Sequence, residues 1–339
     1  LSRQFNLSID QETVEAIHRL APMINLVAVE RIQAEVTKLL KASRSDLGLV
    51  ALKRYQLLPH LFPHVADMTC SRWERTLALF RALDWLKEAI RARRSRQIPR
   101  TRGETQAPSW LDKDLHRFLG ELSSPWLGYL NEEVNQGLSR DHLLRWAALF
   151  AGIENNVASE RPVSERKRGA ASAVSVAASR CRALRLPNHA RDLVTTVVGN
   201  VLTPEDLASI TNNRRAIFRY FQRTNANGLA VAWFSVADSL ASANLHPERT
   251  RWHRILGCLR TLSRAYFRFY DEVIAPDPLL GGDDLIQMGF EPGPRLGKAL
   301  SWLIEAQASG EIRDRDQAIE LIPQRFGHPE SGDGRGEQR

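Results

Sequence analysis

Two Asp-x-Asp pairs, Asp112-Lys113-Asp114 and Asp314-Arg315-Asp316, are the places where paired carboxylates could meet a divalent metal ion. Each runs directly into an apolar helical stretch, LHRFL after the first and AIELI after the second, and no strand or Gly-Ser turn precedes either. An aspartate in that position caps a helix or sits in its first turn, where its charge meets unpaired N–H groups. Both pairs are therefore expected to be helix starts. The nine histidines are scattered, and no Ser/His/Asp or Cys/His arrangement follows from their spacing. Cys70, Cys181 and Cys258 are far apart and odd in number. They predict neither a metal site nor a disulfide framework, and a reducing cytoplasm is the expected compartment.

Arginine is the residue type that carries a pattern. In RWHRILGCLRTLSRAYFRFY (251–270), Arg260, Arg264 and Arg268 fall at i, i+4 and i+8 and share one helix face. Tyr266, Phe267, Phe269 and Tyr270 lie beside them. Such a face can follow an RNA backbone while an aromatic stacks on a base. Aromatics so placed more often belong to the core, with Trp252, Ile255 and Leu262 on the opposite side. Arg215, Arg219 and Arg223 form a second candidate face. A third set, Arg93, Arg94 and Arg96, lies in the stretch 91–102, which holds six arginines and no acid. Over the whole chain 47 Lys and Arg face 39 Asp and Glu, a formal charge of +8. Excess positive charge concentrates polyanions near the surface, which points to a nucleic-acid partner.

The elements that must position these residues are helices. In LVAVERIQAEVTKLL, Leu26, Val29, Ile32, Val36, Leu39 and Leu40 recur at spacings of three and four, one apolar face of a helix. The same periodicity runs through 72–92, 112–122, 142–153, 168–185, 214–222, 229–243, 251–274 and 295–309, and alternating strand patterns are absent. The fold class is all-α. Four regions are expected: a neck at 1–64, where Pro59 and Pro63 forbid a continuous helix; a body at 65–245 with a surface loop at 93–109; a last helical unit at 246–326; and a polar, Gly-rich tail at 327–339, expected to be disordered. No stretch is apolar for long enough to cross a bilayer. The chain opens on Leu1 rather than methionine, which reads as part of something longer.

Three pieces of the opening segment, FNLSIDQETVEAIHRLAP (5–22), VAVERIQAEVTKLL (27–40) and LLPHLFP (57–63), resemble the neck of class II tRNA nucleotidyltransferases and poly(A) polymerases. PLLGGDDLIQMGFEPGPRLGKALSWLIEAQASGEIRDRDQAIELI (278–322) resembles that family's C-terminal helical element. Here Gly281 and Gly282 are expected to turn the chain, Asp283 to cap a short helix, Gly289 to end it left-handed and Pro294 to open the next. The resemblance implies that Glu30 and Arg31 brace the turn before their helix, although family members usually carry Ser where this chain has Val29.

Many members of the wider family carry a metal-binding HD domain in the middle. RWERTLALFRALDWL, LLRWAALFAGI, ARDLVTTVVGNVL and RAIFRYFQRTNANGLAVAWFSVADSLA resemble its frame. The position of the first His reads Arg75, the His-Asp pair reads Ala151-Gly152, and the paired His positions read Gly199-Asn200. Asp238 is the surviving carboxylate, and one Asp cannot hold a hard metal. The resemblance thus implies a degenerate HD-like body, no metal and no catalytic residue in this chain. It implies an RNA partner, tRNA above all, held for 3′-end nucleotide addition. Mg2+ with ATP or CTP belongs to an α/β catalytic head absent from the chain, attached in the full-length enzyme or carried by a separate chain. This chain alone is expected to be inactive. The alternatives are a stand-alone RNA-binding or adaptor protein, or a degenerate HD phosphohydrolase.

Overall fold

The computed structural model describes residues 9–92, 107–135, 137–153, 163–210 and 213–327. Arg93, Arg94, Arg96 and nearly all of the tail lie outside the described residues. The longer helices of the first half are α1 (Gln11–Leu20), α2 (Val29–Lys41), α3 (Ser45–Arg54), α4 (Cys70–Ala92), α5 (Ser109–Leu119), α6 (Ser123–Asn131), α7 (Arg140–Ala151), α8 (Val163–Ala183) and α9 (Asn188–Gly199). Those of the second half are α10 (Arg214–Thr224), α11 (Gly228–Ser242), α12 (Arg249–Arg268), α13 (Gly282–Gln287), α14 (Pro294–Ser309) and α15 (Arg315–Phe326). The fold is predominantly all-α, and the described residues add one small hairpin that the sequence did not announce. Strands β1 (Glu133–Asn135) and β2 (Leu138–Ser139) pair antiparallel, Glu133 opposite Ser139, around Gly137 at φ 69°. Strands of three and two residues are too short for an alternating pattern to register. Among the described residues no helix is long and apolar enough to cross a membrane.

The chain divides into two compact units, Leu1–Ala208 with Asn227–Arg260, and Ser209–Ala226 with Thr261–Arg339. In the first unit α11 is the central helix, buried from Gly228 to Ala241 and packed on α4, because GLAVAWFSVADSLAS offers no polar face wide enough to meet water. Trp233 on α11 meets Trp126 on α6 at 4.6 Å between ring centroids. Charges staple the surrounding helices. Arg145 on α7 lies 2.5 Å from Asp84 and 2.6 Å from Asp141, and Lys87 reaches Asp141 at 2.6 Å, joining α4 to α7. Pro59 and Pro63 break the neck into the short helices Leu58–Leu61 and Pro63–Ala66, as expected. Arg180 of α8 donates to the freed Leu61 carbonyl at 2.7 Å.

The second unit closes around Leu285, Phe290, Ala299, Leu303, Ala306, Ile312, Ala318 and Ile322. Gly289 is left-handed at φ 92° and Pro294 opens α14, both as expected. The cap of α13 differs: the Asp284 carboxylate, not that of Asp283, accepts the Gly281 N–H at 2.7 Å. Asp314 caps α15 by accepting the Gln317 N–H at 2.9 Å, so the second Asp-x-Asp is a helix start.

Candidate nucleic-acid interface

Helix α12 places the arginines. Its apolar residues Trp252, Ile255, Leu256, Leu259 and Leu262 are fully buried, which fixes the rotation of the helix and turns the remaining side outward. At 100° per residue, Arg249, His253, Gly257, Arg260, Arg264 and Arg268 fall within one sector of that outward side. Arg260, Arg264 and Arg268 are exposed, and from Arg249 to Arg268 the helix carries no acid. Among the described residues no carboxylate engages Arg260 or Arg264. Tyr266 and Phe267 are half-buried in ring contact with each other, while Phe269 and Tyr270 are exposed. The aromatics are thus split between core edge and surface.

The second arginine face is already engaged. On α10, Arg219 lies 2.6 Å from Glu305 of α14, and Arg215 bridges Glu305 and Glu311, the latter at 2.5 Å. These pairs are exposed enough to exchange partners, yet their charge is matched within the unit.

The first Asp-x-Asp resolves into two roles. Pro108 precedes α5 and Asp112 lies in its first turn. Asp114 does something spacing does not announce. Its buried carboxylate meets His253 Nε2 at 2.7 Å and Arg249 Nε at 3.2 Å, across 139 and 135 residues of chain. Burial works to raise the Asp114 carboxyl, but the hydrogen bonds and charge of Arg249 and His253 outweigh it and hold it below the usual carboxylate range. Phe118 packs on the His253 ring at 5.4 Å, and Trp110 lies under the Arg249 guanidinium at 5.5 Å. Arg249 and His253 are functional candidates that sequence reasoning missed. The signal available was the acid-free run of α12 read from its first residue rather than from Arg260.

In the neck, Glu30 stands in the first turn of α2 and pairs with Arg185 beyond α8. Its own N–H and the Arg185 charge hold its carboxyl below the usual range. Arg31 is exposed, and Lys38 bonds Glu35 at 2.6 Å. The partner that Glu30 meets is thus Arg185, from the segment after α8.

The four positions compared above with an HD metal site are also placed. Arg75 Nη2 donates to both oxygens of Asp238, at 2.7 and 2.9 Å, and the carboxylate is 5% exposed. A Cβ at Gly152 would fall 2.6 Å from Thr76 Oγ1 and 2.8 Å from Met68 Cε. Asn200 Nδ2 donates to the Thr196 carbonyl at 2.9 Å.

Residues 6–69, which include α1, α2 and α3, match the family described as "Probable RNA and SrmB- binding site of polymerase A". A CC-adding tRNA nucleotidyltransferase of Thermus thermophilus is 24% identical over 94% of this chain and 63% of its own length. A CC-adding tRNA nucleotidyltransferase of Geobacter sulfurreducens is 24% identical over 92% of this chain and 58% of its own length. The chain is thus similar to tRNA nucleotidyltransferases over most of its length and to the RNA-binding site of polymerase A over its neck. It spans about three fifths of the length of the curated relatives it matches. The acid-free side of α12 and the matched neck are the two surfaces that could meet RNA. Within the neck, Leu20, Met23, Leu26 and Val27 are exposed close together, Leu26 at 79%.

Proposed function

We propose that this chain is the RNA-holding part of a tRNA nucleotidyltransferase, acting in the cytoplasm and gripping tRNA while a catalytic head adds nucleotides to its 3′ end. The observation that carries this reading is the outward side of α12, where Arg260 and Arg264 stand exposed in a helix without acids. Cations at that spacing neutralise successive phosphates and position RNA without reading its bases. The relatives' CC addition suggests the same reaction for the full assembly. Mg2+ with CTP or ATP would be handled by the head, in the same polypeptide or in a separate chain. The exposed apolar residues Leu20, Met23, Leu26 and Val27 support a docked protein surface at the neck, which this reading assigns to the head.

The body is read as an HD-like frame without its metal. Its one carboxylate, Asp238, is taken by a guanidinium, and Gly152 has no room for a side chain. These residues do not fit a divalent ion, which needs several converging oxygen or imidazole ligands. No hydrolytic step is derived from them.

The test is binding of tRNA by the purified chain, with Arg260→Glu and Arg264→Glu combined. Reversing two phosphate contacts should weaken binding at least about tenfold at low salt, because each reversed contact also repels. The same preparation, given Mg2+, ATP and CTP, should incorporate nothing into tRNA. An unchanged affinity in the double variant would remove this side of α12 from the interface, and incorporation would place the active carboxylates inside the chain.

A further inference from the structure

Upstream of Arg260, α12 carries a feature that the reading above leaves unused. Gly257 sits in the middle of a helix, where glycine is the least favourable residue apart from proline. A Cβ built there would meet nothing within 4 Å, so no neighbouring helix requires the missing side chain. One turn earlier on the same side are His253 and Arg249, both held by the buried Asp114 of α5, and just under one turn later is Arg260. All of these belong to the first unit.

Arg249 and His253 are set in position before any partner arrives. Asp114 takes two N–H groups of Arg249, Nε at 3.2 Å and Nη2 at 3.4 Å, and leaves the rest of the fork available to another acceptor. Trp110 supports the guanidinium plane and Phe118 supports the imidazole, so neither side chain must be ordered on binding. Lys113 and Arg117, exposed one turn apart on α5, add two further positive charges. The nearest acid in sequence, Glu248, is spent on the start of α12, accepting the Thr250 and Arg251 N–H groups at 2.8 Å each. The acids of α5 and its end are Asp112, half-buried in the first turn, and Glu121, which has a partner of its own.

We propose that an RNA sugar-phosphate backbone crosses α12 at Gly257, with flanking phosphates held by Arg249 and His253 on one side and Arg260 on the other. The bare helix backbone at Gly257 lets the chain of phosphates approach closer than any side chain would allow. The contact is sequence-independent, because the groups offered face phosphates and the sugar-phosphate chain rather than base edges. This inference rests on the RNA-holding reading and adds the place and orientation of the crossing.

Gly257→Gln tests it without changing charge. Glutamine suits a helix and has open space here, so helical circular dichroism and Tm should be kept, and Gly257→Ala should raise Tm by about 2 °C. Filter binding with unfractionated tRNA should then show Gly257→Gln weakened about tenfold, a loss of about 1.4 kcal/mol. Lys113→Glu combined with Arg117→Glu, both at the surface, should weaken binding as well. A folded Gly257→Gln chain that binds tRNA like the wild type overturns the crossing and leaves the RNA-holding reading intact. A wild-type chain that does not bind tRNA overturns both.

Discussion

Asp114 and Asp238 are the same chemical group in the same predicament: a carboxylate removed from water and held by an arginine from a distant part of the chain. A buried carboxylate stripped of its cation has no good state, since it must stay charged in an apolar setting or take a proton. Replacing Arg75 with Met should therefore destabilise the protein by about 3 kcal/mol, read as a lower urea midpoint. Adding Asp238→Leu to Arg75→Met should recover much of the loss, because two apolar groups can fill the space of a buried pair. If the double variant is as unstable as the single, packing rather than charge explains the effect. The sequence singled out both partners, Arg75 as a departure from the resembled frame and Asp238 as its surviving carboxylate. Their mutual contact was not legible there, because nothing local in RWERTLALF or in FSVADSLA states what lies opposite 163 residues away. Asp114 is the converse case. Its Asp-x-Asp spelling matches that of Asp314, yet Asp314 caps a helix and Asp114 anchors an arginine and a histidine.

At the scale of elements, the helices were readable because burial and propensity agree along them, and periodic apolar residues fix which side faces in. What escaped were the joints: the small hairpin, and the choice of Asp284 over Asp283 as a cap. One joint makes a pH prediction. At the start of α7, His142 Nδ1 accepts the Ser139 N–H at 3.2 Å, which requires an unprotonated nitrogen. Burial lowers the His142 pKa from 6.5 to about 4, although Asp141 beside it pulls the other way. His64 is likewise lowered to about 4, by burial first and by the Arg180 charge second. Between pH 6.5 and about 4 the unfolded chain binds protons that the folded chain refuses. The stability contributed by these histidines is therefore complete above pH 6.5 and lost as pH falls through the folded value. His142→Gln keeps an acceptor at that position without a titrating group. Its Tm should fall less steeply than that of the wild type between pH 6.5 and 4.5. Parallel curves would mean that protonation of His142 is not coupled to folding.

For the whole molecule, the formal charge of +8 says only that polyanions are attracted. The structure sorts the arginines behind that number. Arg215 and Arg219 are matched by Glu305 and Glu311, Arg75 by Asp238, and Arg145 by Asp84 and Asp141. Arg260 and Arg264 stand exposed on α12. The sequence showed helical spacing for both Arg215 with Arg219 and Arg260 with Arg264, and could not show which set met carboxylates from another helix. Whether this chain holds RNA through phosphates is read from its affinity for tRNA as a function of salt. About four contacts along α12 predict a slope of about −3 for log affinity against log salt concentration, because each neutralised phosphate releases condensed counterions. A slope near zero, or no measurable binding at low salt, would contradict the account.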